Sequence, residues 1–85
     1  MQEKVQSQEY VLTLHAEDEM VQDRLTIFDV ENALLTGEIV RRQRDSYRGK
    51  WKYVVEGRTL GSEIAVVVTK LAFSRKLVII TVYVK

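Results

Sequence analysis

The chain has 85 residues, 46% hydrophobic and 29% charged, with no cysteine and no proline, a balance that fits one small core and excludes both disorder and a second domain. The longest apolar run, Leu77 to Val84, is under half the roughly 20 residues a membrane helix needs; no secretory signal opens the chain and no thiol is present, so the expected setting is cytoplasmic, with no membrane contact and no disulfide. The net charge of +1 conceals an asymmetry: residues 1–39 carry two basic against nine acidic residues, a net of −7, and residues 40–85 carry eleven against three, a net of +8, the contrast expected of a face for a polyanion or an acidic partner.

In chain order, residues 2–8 read as a frayed helical turn and residues 8–12 alternate enough for a short extended piece. Thr13 can cap a helix from about Leu14 to Arg24, whose apolar residues divide between two sides: Leu14, Val21 and Leu25 on one, Ala16 and Met20 on another. Ile27, Val30 and Leu34 then recur at helical spacing, and Phe28 and Leu35 widen the stripe, as in a largely buried helix. Thr26 is its N-cap, Asp29 completes a capping box three residues later, and Gly37 is its stop.

After Gly37 the pattern becomes that of strands: residues 38–44, 50–56, 63–71 and 77–84, with turns at 45–49 and 57–62. Short connections imply antiparallel neighbours. The expected fold class is therefore α+β, N-terminal helices packed on one side of a four-stranded antiparallel meander sheet with its last two strands central.

A four-residue loop closing the first hairpin would place Arg44 opposite Trp51, Arg42 opposite Tyr53 and Val40 opposite Val55, stacking guanidinium groups on aromatic rings. A one-residue slip would instead set Lys50 and Lys52 beside the arginines, a like-charged row favoured only around an anion. In either register the hairpin gathers Arg41, Arg42, Arg44, Arg48, Lys50 and Lys52 around Tyr47, Trp51 and Tyr53. Phosphate attraction interleaved with stacking platforms is the composition of a single-stranded nucleic-acid surface; the plainer alternative is that the aromatics complete the core while the cations solvate an edge.

The one histidine, His15, falls in the first turn of its helix, where the dipole favours the neutral imidazole, a form able to act as a base. A role-free surface histidine is the competing reading. Glu17, Asp18 and Glu19 are consecutive and point to different sides of a helix, so they make no metal site, and no G-x-S-x-G, Walker or dinucleotide motif occurs. No cofactor is expected. The chemistry left open is metal-free RNA cleavage, in which a 2′-hydroxyl attacks the adjacent phosphate while side chains exchange protons and cations hold the developing charge.

His15-Ala16, Arg24-Leu25-Thr26, the run Asp29 to Leu34 with Gly37-Glu38-Ile39, and Ile79-Ile80-Thr81-Val82-Tyr83 resemble, in order and spacing, a bacterial family of small uncharacterised domains with a His-Ala helix and a closing Ile-Thr-Val-Tyr strand. That family is similar to the class of barnase-type ribonucleases and RelE-type toxins. The resemblance covers Tyr10 to Tyr83 and implies a RelE/barnase-like fold, RNA as partner in a ribosome-associated setting, a small antitoxin protein as a second partner, and His15, Arg24, Thr81 and Tyr83 as marked positions. Joined to the basic hairpin, it gives an expected catalytic set of His15, Tyr83 and Arg44 for a metal-independent ribonuclease, the hairpin itself supplying the expected nucleic-acid contacts at Arg41, Arg42, Arg44, Lys50, Trp51, Lys52 and Tyr53. One position departs from the pattern: Glu19 stands before Met20 where relatives carry a basic residue. The competing functional expectation is a non-catalytic domain whose basic face binds an acidic protein partner.

Overall fold

The computed structural model describes residues 9–44, 51–71 and 76–85, so the helical turn expected at 2–8, the turn at 45–49 and Lys50 lie outside the described residues. The elements are β1 (Tyr10–Leu12), α1 (Leu14–Gln22), α2 (Ile27–Thr36), β2 (Glu38–Arg44), β3 (Trp51–Arg58), β4 (Ile64–Leu71) and β5 (Leu77–Val84).

Local chemistry sets both helix starts. The Thr13 hydroxyl accepts from the Ala16 amide at 3.1 Å and satisfies one of the amides a helix leaves unpaired. Thr26 and Asp29 form the expected reciprocal box, the Asp29 amide donating to the Thr26 hydroxyl at 3.2 Å and the Thr26 amide to Asp29 Oδ2 at 2.9 Å. Asp29 Oδ1 also accepts from the Leu60 amide at 3.0 Å, tying the β3–β4 connection to the start of α2. The Thr26 amide above all, and the Leu60 amide beside it, hold the Asp29 carboxyl below the ordinary carboxylate range.

α1 ends at Gln22, short of the expected Arg24, because the chain leaves it through a Schellman motif. The Arg24 amide donates to Val21 at 3.3 Å and the Leu25 amide to Met20 at 2.8 Å. Arg24 occupies the left-handed position with φ of 56°, where glycine is the usual residue. Met20 and Leu25, the pair that such a motif brings into contact, are both in the core.

The sheet corrects the sequence expectation. It has five strands in the order β1-β5-β4-β3-β2 and is mixed, since β1 runs parallel to β5 while the other pairs are antiparallel. The RelE/barnase-like arrangement, helices on a four-stranded antiparallel meander, is therefore not the architecture of this chain. The short segment before Thr13 supplies the difference: Tyr10 pairs with Leu77 and Leu12 with Ile79, the Leu77 amide donates to Glu9 and the Thr13 amide to Ile79, both at 3.0 Å. An apolar β5 needs partners on that side to satisfy its backbone, and β1 supplies them from Leu77 to Ile79.

Alternation sorts the strands into two faces. Val55, Ala65, Val67, Leu77, Ile79 and Val82 face the helices and close the core with Ala16, Met20, Val30, Ala33 and Leu34. α2 lies directly on β3: a Cβ at Gly57 would stand 1.8 Å from the Ala33 carbonyl oxygen, which only glycine permits. Val54 and Val66, pointing the other way, are buried as well.

Two irregularities reset the faces. In β2 the pairing shifts between Ile39 and Arg41, so Ile39 rather than Val40 lies opposite Val55. In β5 it shifts at Ile80, so Thr81 pairs with Val68 and Tyr83 with Val66. Thr81 and Tyr83 therefore sit on the face opposite Leu77 and Ile79, not beside them as uninterrupted alternation would have it.

Where a strand runs past its neighbour, a helix side chain takes over the backbone. Beyond β1, the Val82 amide donates to Glu19 Oε1 at 3.1 Å and the Val84 amide to Asp23 Oδ2 at 3.2 Å. Beyond β2, Asn32 donates to the Arg58 carbonyl at 2.8 Å and the Arg58 amide to the Thr36 hydroxyl at 3.1 Å. The acidic residue before Met20 thus acts as an edge partner of β5, a task a lysine or arginine, having no acceptor, could not perform. No helix among the described residues is long and apolar enough to cross a membrane.

Candidate nucleic-acid interface

β2 and β3 pair with Arg44 opposite Trp51 and Arg42 opposite Tyr53, the register that stacks cations on rings. The guanidinium carbons of Arg42 and Arg44 each stand 5.4 Å from the Trp51 ring centroid, inside the range of a cation–π contact. Trp51 is 40% exposed, far more than a core tryptophan. The two arginines are both on the strand face that carries the helices, on a strand exposed along its whole length.

Beside this cluster on the same face lies an apolar groove of about 240 Å³ lined by Ile39, Tyr53, Leu71 and Leu77. Its apolar floor next to an exposed aromatic–guanidinium stack makes a surface that can pair flat, hydrophobic groups with anionic ones.

Period-2 alternation divides the remaining basic residues. Arg41, opposite Val54, and Lys52, opposite Gln43 and Lys70, project from the other face. Of the seven nucleic-acid contacts expected from sequence, four, Arg42, Arg44, Trp51 and Tyr53, share one face. Arg41 and Lys52 share the opposite one, and Lys50 lies outside the described residues.

His15, Tyr83 and Arg44 stand in three places. His15 is an exposed residue on α1, its Nε2 3.3 Å from Glu19 Oε1. Tyr83, 43% exposed, faces away from the helices on β5. Arg44 ends β2, three strands from β5, roughly 14 Å at the usual strand spacing. The structure does not bring these three together. Among the described residues no group of three His, Cys, Asp or Glu side chains could hold a metal ion.

One partly buried polar pair escaped the sequence reading. The Tyr10 hydroxyl donates to Glu31 Oε2, joining β1 to α2. Partial burial first, and then the carboxylate beside it, push the Tyr10 phenol up to about 12. The available signal was Glu31 itself, an acid between Ile27 and Leu35 on the side of α2 that packs toward the core.

A family model described as "Domain of unknown function (DUF4258)" matches residues 12–84, nearly the whole chain. No curated protein and no solved structure matches it.

Proposed function

The chain belongs to the DUF4258 family, and from its own surface we propose that it binds single-stranded RNA through the Arg42–Trp51–Arg44 cluster. The observation that carries this reading is two guanidinium groups held against one exposed indole. The indole can stack a base, and each arginine can pair with a phosphate oxygen while keeping its contact with the ring. The apolar groove at Ile39, Tyr53, Leu71 and Leu77 accommodates a neighbouring base. The His15-Ala16 and Ile79-to-Tyr83 segments resemble a family of small domains that is set, by its own likeness, beside toxin-type ribonucleases; that favours RNA as the polymer and a small antitoxin as the protein that would cover this surface. The proposal is one of binding. It assigns no cleavage step, because His15, Tyr83 and Arg44 do not converge.

Trp51 is the only tryptophan, so its emission reports on this surface alone. Titration with oligouridylate should quench it, and log K against log salt should fall with a slope of about −0.7 per phosphate neutralised. Arg42→Ala with Arg44→Ala should weaken binding at least tenfold and reduce that slope by about 1.4. Binding that is indifferent to both substitutions overturns the reading. Quenching by an acidic peptide with no response to RNA would assign the same surface to an acidic protein partner instead.

A further inference from the structure

The sheet face away from the helices carries a charge arrangement that stability alone does not explain. Lys52 and Lys70 are directly opposed across β3 and β4, with Gln43 on the far side of Lys52 and Val78 on the far side of Lys70. Arg41 belongs to the adjoining row, opposite Val54. Both lysines are half-buried, and among the described residues neither ammonium meets a carboxylate; the ion pairs there are His15 with Glu19 and Lys85 with Glu56. Like charges at directly opposed positions repel. Lysines often guard a sheet edge, but β4 is the middle strand of five, so edge protection cannot account for Lys70.

We infer that Arg41, Lys52 and Lys70 form a second phosphate-binding site on the opposite face of the sheet from Trp51, and that one RNA strand passes around the β2 edge to reach both. β2 makes this path short, because Arg42 and Arg44 point to one face and Arg41 to the other, and no described strand pairs with its outer edge. A strand leaving the Trp51 stack meets Arg41 on β2, then Lys52 on β3, then Lys70 on β4. A phosphate between the two ammonium groups turns their mutual repulsion into attraction for a shared anion. Buried Val54 stands beside Arg41 in its row, and buried Val66 lies in the next row beyond, so apolar side chains bound the three cations on that side.

This inference rests on the RNA reading above and needs a test that separates the two. Oligouridylates of about 4 and about 16 nucleotides bracket the sizes that single-strand surfaces occupy. Wild type and Lys70→Thr, which keeps strand propensity, are titrated with each while Trp51 emission is followed, and thermal melts confirm folding. The expected result is equal affinity for the short RNA, and for the long RNA a three- to tenfold loss in Lys70→Thr with a salt slope smaller by about 0.7. Lys52→Thr should repeat the pattern. Equal binding of the long RNA by wild type and both variants overturns the second site and leaves the Trp51 surface standing. Equal losses for short and long RNA also overturn it, since a separate site would spare the short strand. No quenching by either RNA would bring down the RNA reading itself.

Discussion

Arg24 holds a left-handed backbone at the end of α1, and that conformation costs a side-chain-bearing residue roughly 1 kcal/mol relative to glycine. Arg24→Gly should therefore stabilise the domain by about 0.5–1 kcal/mol, read as a higher urea midpoint at unchanged slope. A lower midpoint would show that the guanidinium makes a stabilising contact. Tyr10 predicts a pH effect at the other extreme. Its phenol titrates higher in the fold, about 12 against an ordinary 10.0, so the stability it contributes is complete below pH 10 and is lost as pH rises toward 12. Denaturation at pH 9 and pH 11.5 should show a decline in wild type that Tyr10→Phe lacks. Equal declines would mean that the bond to Glu31 contributes nothing.

Among the elements, α1 serves two masters, packing Ala16 and Met20 inward while Glu19 and Asp23 act as the missing neighbour of β5. Glu19→Ala should cost about 1–2 kcal/mol and speed hydrogen exchange at the Val82 amide, while the Val84 amide, held by Asp23, exchanges as before. Parallel acceleration at both amides would point to loss of the helix rather than of one acceptor. The helices were legible in the sequence because caps are local: Thr13, Thr26 and Asp29 each act within three residues. Of the two hairpin registers left open, the cation–aromatic match favoured the one seen at Arg44–Trp51 and Arg42–Tyr53, but it did not reveal the bulge that sets Ile39 instead of Val40 opposite Val55. β1 was legible only as a short extended piece, not as a strand of the sheet, since three residues join a sheet only by meeting Leu77 more than sixty residues away. The bulge at Ile80 was hidden by a run of β-branched residues apolar on both faces. One extra residue leaves no trace in such a pattern, yet it turns Thr81 and Tyr83 to the other side. The Tyr10–Glu31 pair failed to show because its members are 21 positions apart on elements whose adjacency depends on that unseen strand.

At the scale of the molecule, the acidic first half becomes the helical layer with its backbone acceptors, and the basic second half becomes the sheet end that carries Arg42, Arg44 and Trp51. The same division has a consequence for solution behaviour. All seven residues of β2 are exposed, and no described strand pairs with its outer edge, so it offers a second copy a backbone ladder to extend. Three arginines along that edge, Arg41, Arg42 and Arg44, set two such strands against each other by charge alone. Added salt screens that repulsion over about 10 Å at 0.1 M and about 3 Å at 1 M, so self-association by light scattering should rise with ionic strength, and Arg41→Thr should associate at lower salt than wild type. The proposed RNA affinity runs the opposite way, falling as salt rises. On the proposed RNA reading, ionic strength would select between two fates of one strand, a nucleic-acid surface when dilute in salt and a polymerising edge when concentrated, with the arginines deciding where the crossover falls.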